Sequence, residues 1–189
     1  MPGKSVPFII GSRYRFDTLS EIHILDNFEC EHTFLKIFLC DKALEEARQD
    51  LSRTYVLIDT DEPPEEAVIG YFTLRADSIS YTPAGGRIIS FPVIEIAYLA
   101  RHIKRKGREK WGIGPALLIE ALRTVDSVSQ RIGVAAVHLS YTDEGKVLYK
   151  AYGFGDHPYG DGWLLLSIAD LREALAEEDT IRVDEANPQ

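Results

Sequence analysis

The chain has 189 residues, 45% hydrophobic and 27% charged, a composition that suits one globular domain with a real core. Its formal net charge of −9 argues against a general nucleic-acid binder. No apolar run approaches the ~20 residues of a membrane helix, and the N-terminal MPGKSVPFIIGSRYRF is too briefly apolar for a signal peptide. Cys30 and Cys40 lack a short metal-type spacing, so reduced thiols in a cytoplasmic protein without a metal are expected.

TLSEIHILDNF (18–28) and HTFLKIFLCDKALEEARQDLS (32–52) carry apolar residues at three- and four-residue spacing and predict helices. RTYVLIDT (53–60) predicts a strand, DEPPEEA a polar loop, and VIGYFTLRADSISY (68–81) a second strand rich in β-branched and aromatic residues. After TPAGGR, a further strand is expected from the apolar IISFPVIEIAYLARH, with Pro92 at its entry. A helix is expected from Pro115 to about Ile132, burying Leu117, Leu118, Ala121, Leu122, Val125 and Val128. VAAVHLSYT predicts a strand, DEGKVLYKAYGF a short helix ending at Gly153, and WLLLSIADLREALAEE a strand and a last helix. With no repeat and no linker, the expectation is a single α/β domain over 1–189, with a mixed sheet, a core at about 8–176 and a loose tail at 177–189.

Residues 101–110, RHIKRKGREK, hold six Lys/Arg and one Glu, which leaves −14 on the rest of the chain. This run leads into Gly112-Ile113-Gly114 at a helix mouth. Glycine N–H groups at the positive end of a helix suit phosphate oxygens, so an anionic ligand is expected there. The dinucleotide fingerprint fails for want of its third glycine, which would let the helix pack close on the sheet. The G-x-x-x-x-G-K-[ST] loop is absent as well.

EIAYLARHIKRKGREKWGIGPALLIEAL followed by VHLSYTDEGKVLYKAYGF resembles the Gcn5-related N-acetyltransferase superfamily, with VIGYFTLRADSI fitting the strand before them. Its pattern is a strand, [QR]-x-x-G-x-[GA] opening a helix, a strand, and a helix ending Tyr-x-x-x-Gly-Phe. The resemblance implies a mostly antiparallel splayed sheet flanked by helices. It implies acetyl-CoA as the acyl donor, with its pyrophosphate on the glycine turn and its pantetheine in the splay. The matching residues are Glu109, Lys110, Trp111, Gly112, Ile113 and Gly114, with Arg108 beside them; Glu109 stands where the pattern has Gln or Arg. Trp111 has two readings, a cover for the ligand or a packed indole. LDNFECEHTFLKIFLCDKALEEARQDLSRTYVLID is similar to the start of a bacterial branch that includes toxins acetylating aminoacyl-tRNA and paired with an antitoxin. Here Phe28-Glu29-Cys30-Glu31 replaces Phe-Asp-Cys-Gly.

Direct acetyl transfer needs a base for the amine, stabilisation of the thioester oxyanion and a proton for the leaving thiolate. Glu95, a carboxylate in an apolar strand, is the candidate base; its other reading is an ion-paired edge residue. Tyr149, which opens the Tyr-x-x-x-Gly-Phe pattern, is the candidate acid, whereas Tyr152 reads as a core ring. A backbone N–H near Leu99 or Ala100 is expected to meet the oxyanion. Arg101, Lys104, Arg105, Lys106, Arg108 and Lys110 are candidates for coenzyme phosphates or an RNA backbone, and His102 reads as a loop residue.

The resemblance implies an acetyl-CoA-dependent N-acetyltransferase acting on a primary amine of a small molecule or protein. The toxin-like alternative brings aminoacyl-tRNA as acceptor and an antitoxin as partner. A binding module for acyl-CoA without turnover is the third reading. Family members are often homodimers, and no membrane partner is expected.

Overall fold

The computed structural model of the chain describes residues 13–82, 84, 86–105, 112–158 and 160–186, with side chains as far as residue 177. The strands are β1 (Tyr14–Thr18), β2 (Arg53–Asp59), β3 (Val68–Tyr81), β4 (Ile89–Arg101), β5 (Ala136–Ser140), β6 (Gly155–Asp156) and β7 (Trp163–Ser167). They form one mixed sheet in the order β1-β2-β3-β4-β5-β7-β6. β1–β2, β2–β3, β5–β7 and β6–β7 pair antiparallel, and β4–β5 pair parallel. The helices are α1 (Thr33–Ile37), α2 (Ala43–Arg48), α3 (Ile113–Ser129), α4 (Asp143–Ala151) and α5 (Ile168–Ala186). None of the described helices is long and apolar enough to cross a membrane.

The chain divides into two compact units, one within 8–75 and 97–118, the other within 76–96 and 119–189. The first unit holds β1, β2 and the Val68–Leu74 half of β3. That half is buried at every residue, which explains its near-continuous apolar sequence. Its core gathers Phe28, Phe38, Leu39, Val56 and Tyr71. Phe28 meets Tyr71 edge-on with ring centroids 5.8 Å apart, and the Tyr71 hydroxyl donates to the Leu35 carbonyl at 2.8 Å.

The helix expected over 18–28 is absent. The Ser20 N–H donates to His23 Nδ1 at 3.1 Å, and the Leu19 N–H goes to the Thr54 carbonyl at 2.8 Å. Local side-chain bonding and a pairing to β2 thus take the donors a helix would use. The apolar residues bury irregularly: Leu19 and Phe28 are inside while Ile22 is 79% exposed. The second expected helix forms as α1, a wider π-helical turn at Phe38–Lys42, and α2. β1 is a strand the sequence reading did not place, a five-residue edge with Arg15 and Asp17 paired along it at 3.0 Å.

In the second unit Pro92 lies inside β4 rather than at its entry, because the exposed residues Ile89–Phe91 already extend the strand. The Pro92 carbonyl still serves, accepting from the Ala135 N–H at 2.8 Å. The β4–β5 ladder is short: Val93↔Ala136, Ile94↔Val137 and Glu95↔His138, with both strands running on. β6 was also unforeseen. Thr142 caps α4, its Oγ1 accepting the Gly145 N–H at 3.2 Å. Gly153 follows that helix at φ 88°, where glycine is favoured. α5 opens on Ser167, whose hydroxyl accepts from the Asp170 N–H at 3.1 Å, and continues to Ala186, into the tail at 177–189 that the sequence reading took as loose.

Candidate active site

α3 begins at Ile113, two residues before its expected start. Gly112 is the residue before the helix, at φ 73°, and its carbonyl accepts from the Ala116 N–H at 3.4 Å. Gly114 therefore belongs to the first turn rather than to the loop, and Pro115 to the third helical position. The N–H groups of Ile113 and Gly114 are the kind a helix leaves without internal partners. Arg108, Glu109, Lys110 and Trp111, like Lys106, lie outside the described residues.

A glycine the sequence reading passed over seats this helix start. A Cβ on Gly70 of β3 would stand 2.9 Å from Leu117 Cδ1, 3.1 Å from Ile113 Cγ2 and 3.2 Å from the Ala100 carbonyl. Close helix-on-sheet approach is the role of the third glycine in a dinucleotide fingerprint, and here the strand supplies it instead. Leu99 and Ala100 form the end of β4, with Ala100 buried. His102 is buried and structural: its Nδ1 accepts the Lys104 N–H at 3.1 Å, so Nε2 carries the proton given to the Asn27 carbonyl at 3.0 Å.

The described cations of the basic run, Arg101, Lys104 and Arg105, are placed differently from one another. Arg105 is 8% exposed and lies 3.1 Å from Asp59 and 2.6 Å from Glu62, so it is committed to internal acids, not to a phosphate. Arg13 donates twice to the same Asp59, at 2.9 Å each. Arg101 stands 3.7 Å from Glu31, and Lys104 is 60% exposed, 3.9 Å from Glu66.

In the second unit the parallel ladder sets Glu95 of β4 beside His138 of β5. Both are buried in otherwise apolar strands, and Asp77 of β3 joins them; one donor atom from each lies within 4.8 Å of the others. The sequence reading found Glu95 but neither partner, although a histidine in the apolar run VAAVHLSYT was a usable signal. Trp163 of β7 stacks on His138, with centroids 4.9 Å apart. Burial pushes the His138 imidazole below its usual pKa despite Asp77 and Glu95, which favours the neutral ring.

Tyr149 sits on α4, buried, with its ring edge-on to Phe154 at 6.0 Å and folded back over Gly145. The N–H groups of Tyr152 and Phe154 both donate to its carbonyl, at 3.1 and 3.2 Å, so the Tyr-x-x-x-Gly-Phe pattern is a helix ending that fixes this ring. Burial pushes its phenol up to about 12. A phenol so placed stays protonated at neutral pH.

No protein-family model matches the sequence, and no curated protein matches it. Solved structures do match. The toxin AtaT, as a tyrosine-to-phenylalanine variant, superposes with a TM-score of 0.75 at 20% identity, covering 85% of this chain and 93% of its own. The same variant bound to the C-terminus of the antitoxin AtaR and acetyl-CoA gives a TM-score of 0.70 at 21% identity, over 85% and 97%. AtaT complexed with acetyl-methionyl-tRNAfMet gives 0.72 at 20%, over 85% and 98%. A tyrosine-to-phenylalanine variant of KacT gives 0.73 at 17%, over 85% and 98%. The chain has their fold. The mostly antiparallel mixed sheet with flanking helices expected from the sequence is thus the architecture observed.

Proposed function

We propose that the chain is an acetyl-CoA-dependent N-acetyltransferase whose acceptor is the α-amino group of an aminoacyl-tRNA. The observation that carries this is the likeness of 85% of the chain to AtaT, which was solved with acetyl-CoA and with acetyl-methionyl-tRNAfMet. The Gly112–Gly114 helix mouth and Tyr149 on α4 agree with it, because a pyrophosphate cradle and a proton donor are what the reaction asks for.

In this reading Glu95 takes one proton from the ammonium, and the freed nitrogen attacks the thioester carbon. The oxyanion is met by a backbone N–H near Leu99 or Ala100. As the C–S bond breaks, Tyr149 gives its proton to the thiolate and recovers one from the nitrogen. The first proton leaves Glu95 for solvent, so the products are the amide, free coenzyme thiol and one proton. The coenzyme phosphates fall to the N–H groups of Ile113 and Gly114, beside Gly112 and Arg101; Arg108, Glu109, Lys110 and Trp111 remain candidates on their sequence alone. An antitoxin partner follows from the same reading.

A small-molecule or protein amine is the second reading, supported by the −14 outside residues 101–110, which suits a cationic acceptor. Acetyl-labelled acetyl-CoA added with the pure chain to a cell extract separates the two. Label in the RNA fraction that is lost on deacylation supports the tRNA acceptor, and label confined to protein or small amines supports the second reading.

A further inference from the structure

Around Glu95, Asp77 and His138 form an arrangement that acetyl transfer does not require. His138 is 4% exposed, and its Nε2 is buried without a hydrogen-bond partner. Asp77 Oδ2 lies only 3.1 Å from that nitrogen, close enough for a bond but without its alignment. The other carboxylate oxygen of Asp77 accepts the Ser78 N–H at 2.7 Å, which turns Oδ2 toward the ring. The Trp163 stack fixes the plane of the imidazole, so Nε2 cannot swing aside. Glu95 completes a set of three donor atoms within 4.8 Å.

Magnitudes decide which ligand suits the pair. Two ligand atoms each ~2.1 Å from one ion stand about 3.0–3.4 Å apart at octahedral or tetrahedral angles. Two acceptors shared by an ammonium at ~2.8 Å stand about 4.6 Å apart. The 3.1 Å between His138 Nε2 and Asp77 Oδ2 matches the first geometry, and Glu95, within 4.8 Å of both, would close on the ion by a side-chain shift. His23 shows the contrast: its Nε2 is also buried without a partner, 3.5 Å from Asp17, but among the described residues no third donor joins that pair.

The geometry points to a divalent metal site formed by His138 Nε2 and the carboxylates of Asp77 and Glu95. One imidazole and two carboxylates suit a first-row ion of the Zn2+ or Mn2+ class. Asp77, 42% exposed at its side chain, is the solvent side through which the ion and its remaining water ligands enter. The site shares Glu95 with the proposed reaction: a Glu95 carboxylate holding an ion takes no proton from an amine, so an occupied site leaves that proton to water or another base.

Equilibrium dialysis of the chain against Zn2+, with metal analysis and melting curves, tests the assignment. The probe variant is Asp77→Asn, chosen because its exposed side chain makes misfolding an unlikely confounder; His138→Gln is the second. The wild type is expected to bind one more equivalent than Asp77→Asn, or to bind it at least tenfold more tightly. Its melting temperature is expected to rise with Zn2+ by more than that of either variant. Zinc on thiols or other histidines would be common to all three proteins. Equal stoichiometry, affinity and thermal shift in wild type and Asp77→Asn would overturn the site.

Discussion

Single residues here are set by what surrounds them more than by their type. Tyr149 lies within α4 and Tyr152 is the residue that ends it, three positions on, yet only Tyr149 is buried, with burial raising its phenol to about 12. Tyr149→Phe keeps the packed ring and removes the proton donor. Turnover is expected to fall by about 10²-fold or more, with acetyl-CoA affinity nearly unchanged, by steady-state kinetics beside direct coenzyme binding. Asp59 makes a different case. Burial pushes its carboxyl up, but the Arg13 hydrogen bonds, the Asp61 N–H and the charges of Arg13 and Arg105 outweigh it, leaving the pKa below its ordinary value. A carboxyl depressed by folding adds stability that is complete above its unfolded value near 3.8 and is lost as pH falls through the folded one. Melting curves from pH 6 to 2 are expected to show wild type losing its advantage over Asp59→Asn below about pH 4, after an advantage of ~3 kcal/mol at neutral pH. A constant difference across that range would contradict the assignment.

At the scale of elements, local pattern served where an element's own residues decide its form. VIGYFTLRADSISY forms β3 with the expected bounds, and the α4 ending follows from Thr142 in front and Gly153 behind. The pattern misled over 18–28, where the helical spacing is real but Ser20, His23 and the β2 edge take the backbone donors. Nor could spacing show that Gly70, some forty residues upstream of α3, seats that helix, since the demand comes from Ile113, Leu117 and the Ala100 carbonyl. Gly70→Ala is expected to destabilise by about 1–3 kcal/mol in chemical denaturation, because a flexible leucine tip can yield and the carbonyl cannot. Gly112→Ala meets a different penalty, about 1–2 kcal/mol for the left-handed backbone, and is expected to weaken acetyl-CoA binding beyond its effect on stability. Equal coenzyme affinity in Gly112→Ala and wild type would remove the helix mouth from the cradle.

For the whole molecule, composition and charge carried little about the acceptor. The +5 of residues 101–110 reads as one basic patch in the sequence, but the fold spends Arg105 on Asp59 and Glu62 and sets Arg101 near Glu31. The candidate base was legible as a carboxylate in an apolar strand. Its neighbours were not, because Asp77, Glu95 and His138 come from three strands that only the sheet order brings together. What the sequence pattern and the fold share is the acetyl-transfer reading, and its most direct test is chemical. Purified chain, charged methionyl-tRNA and acetyl-labelled acetyl-CoA are incubated together, and label in intact tRNA is counted for wild type and Tyr149→Phe. The account predicts stoichiometric label with wild type, recovered as N-acetylmethionine after deacylation, and at least a hundredfold slower labelling with the variant. Acetyl-CoA bound by both proteins, with neither tRNA nor any other amine labelled, would contradict it.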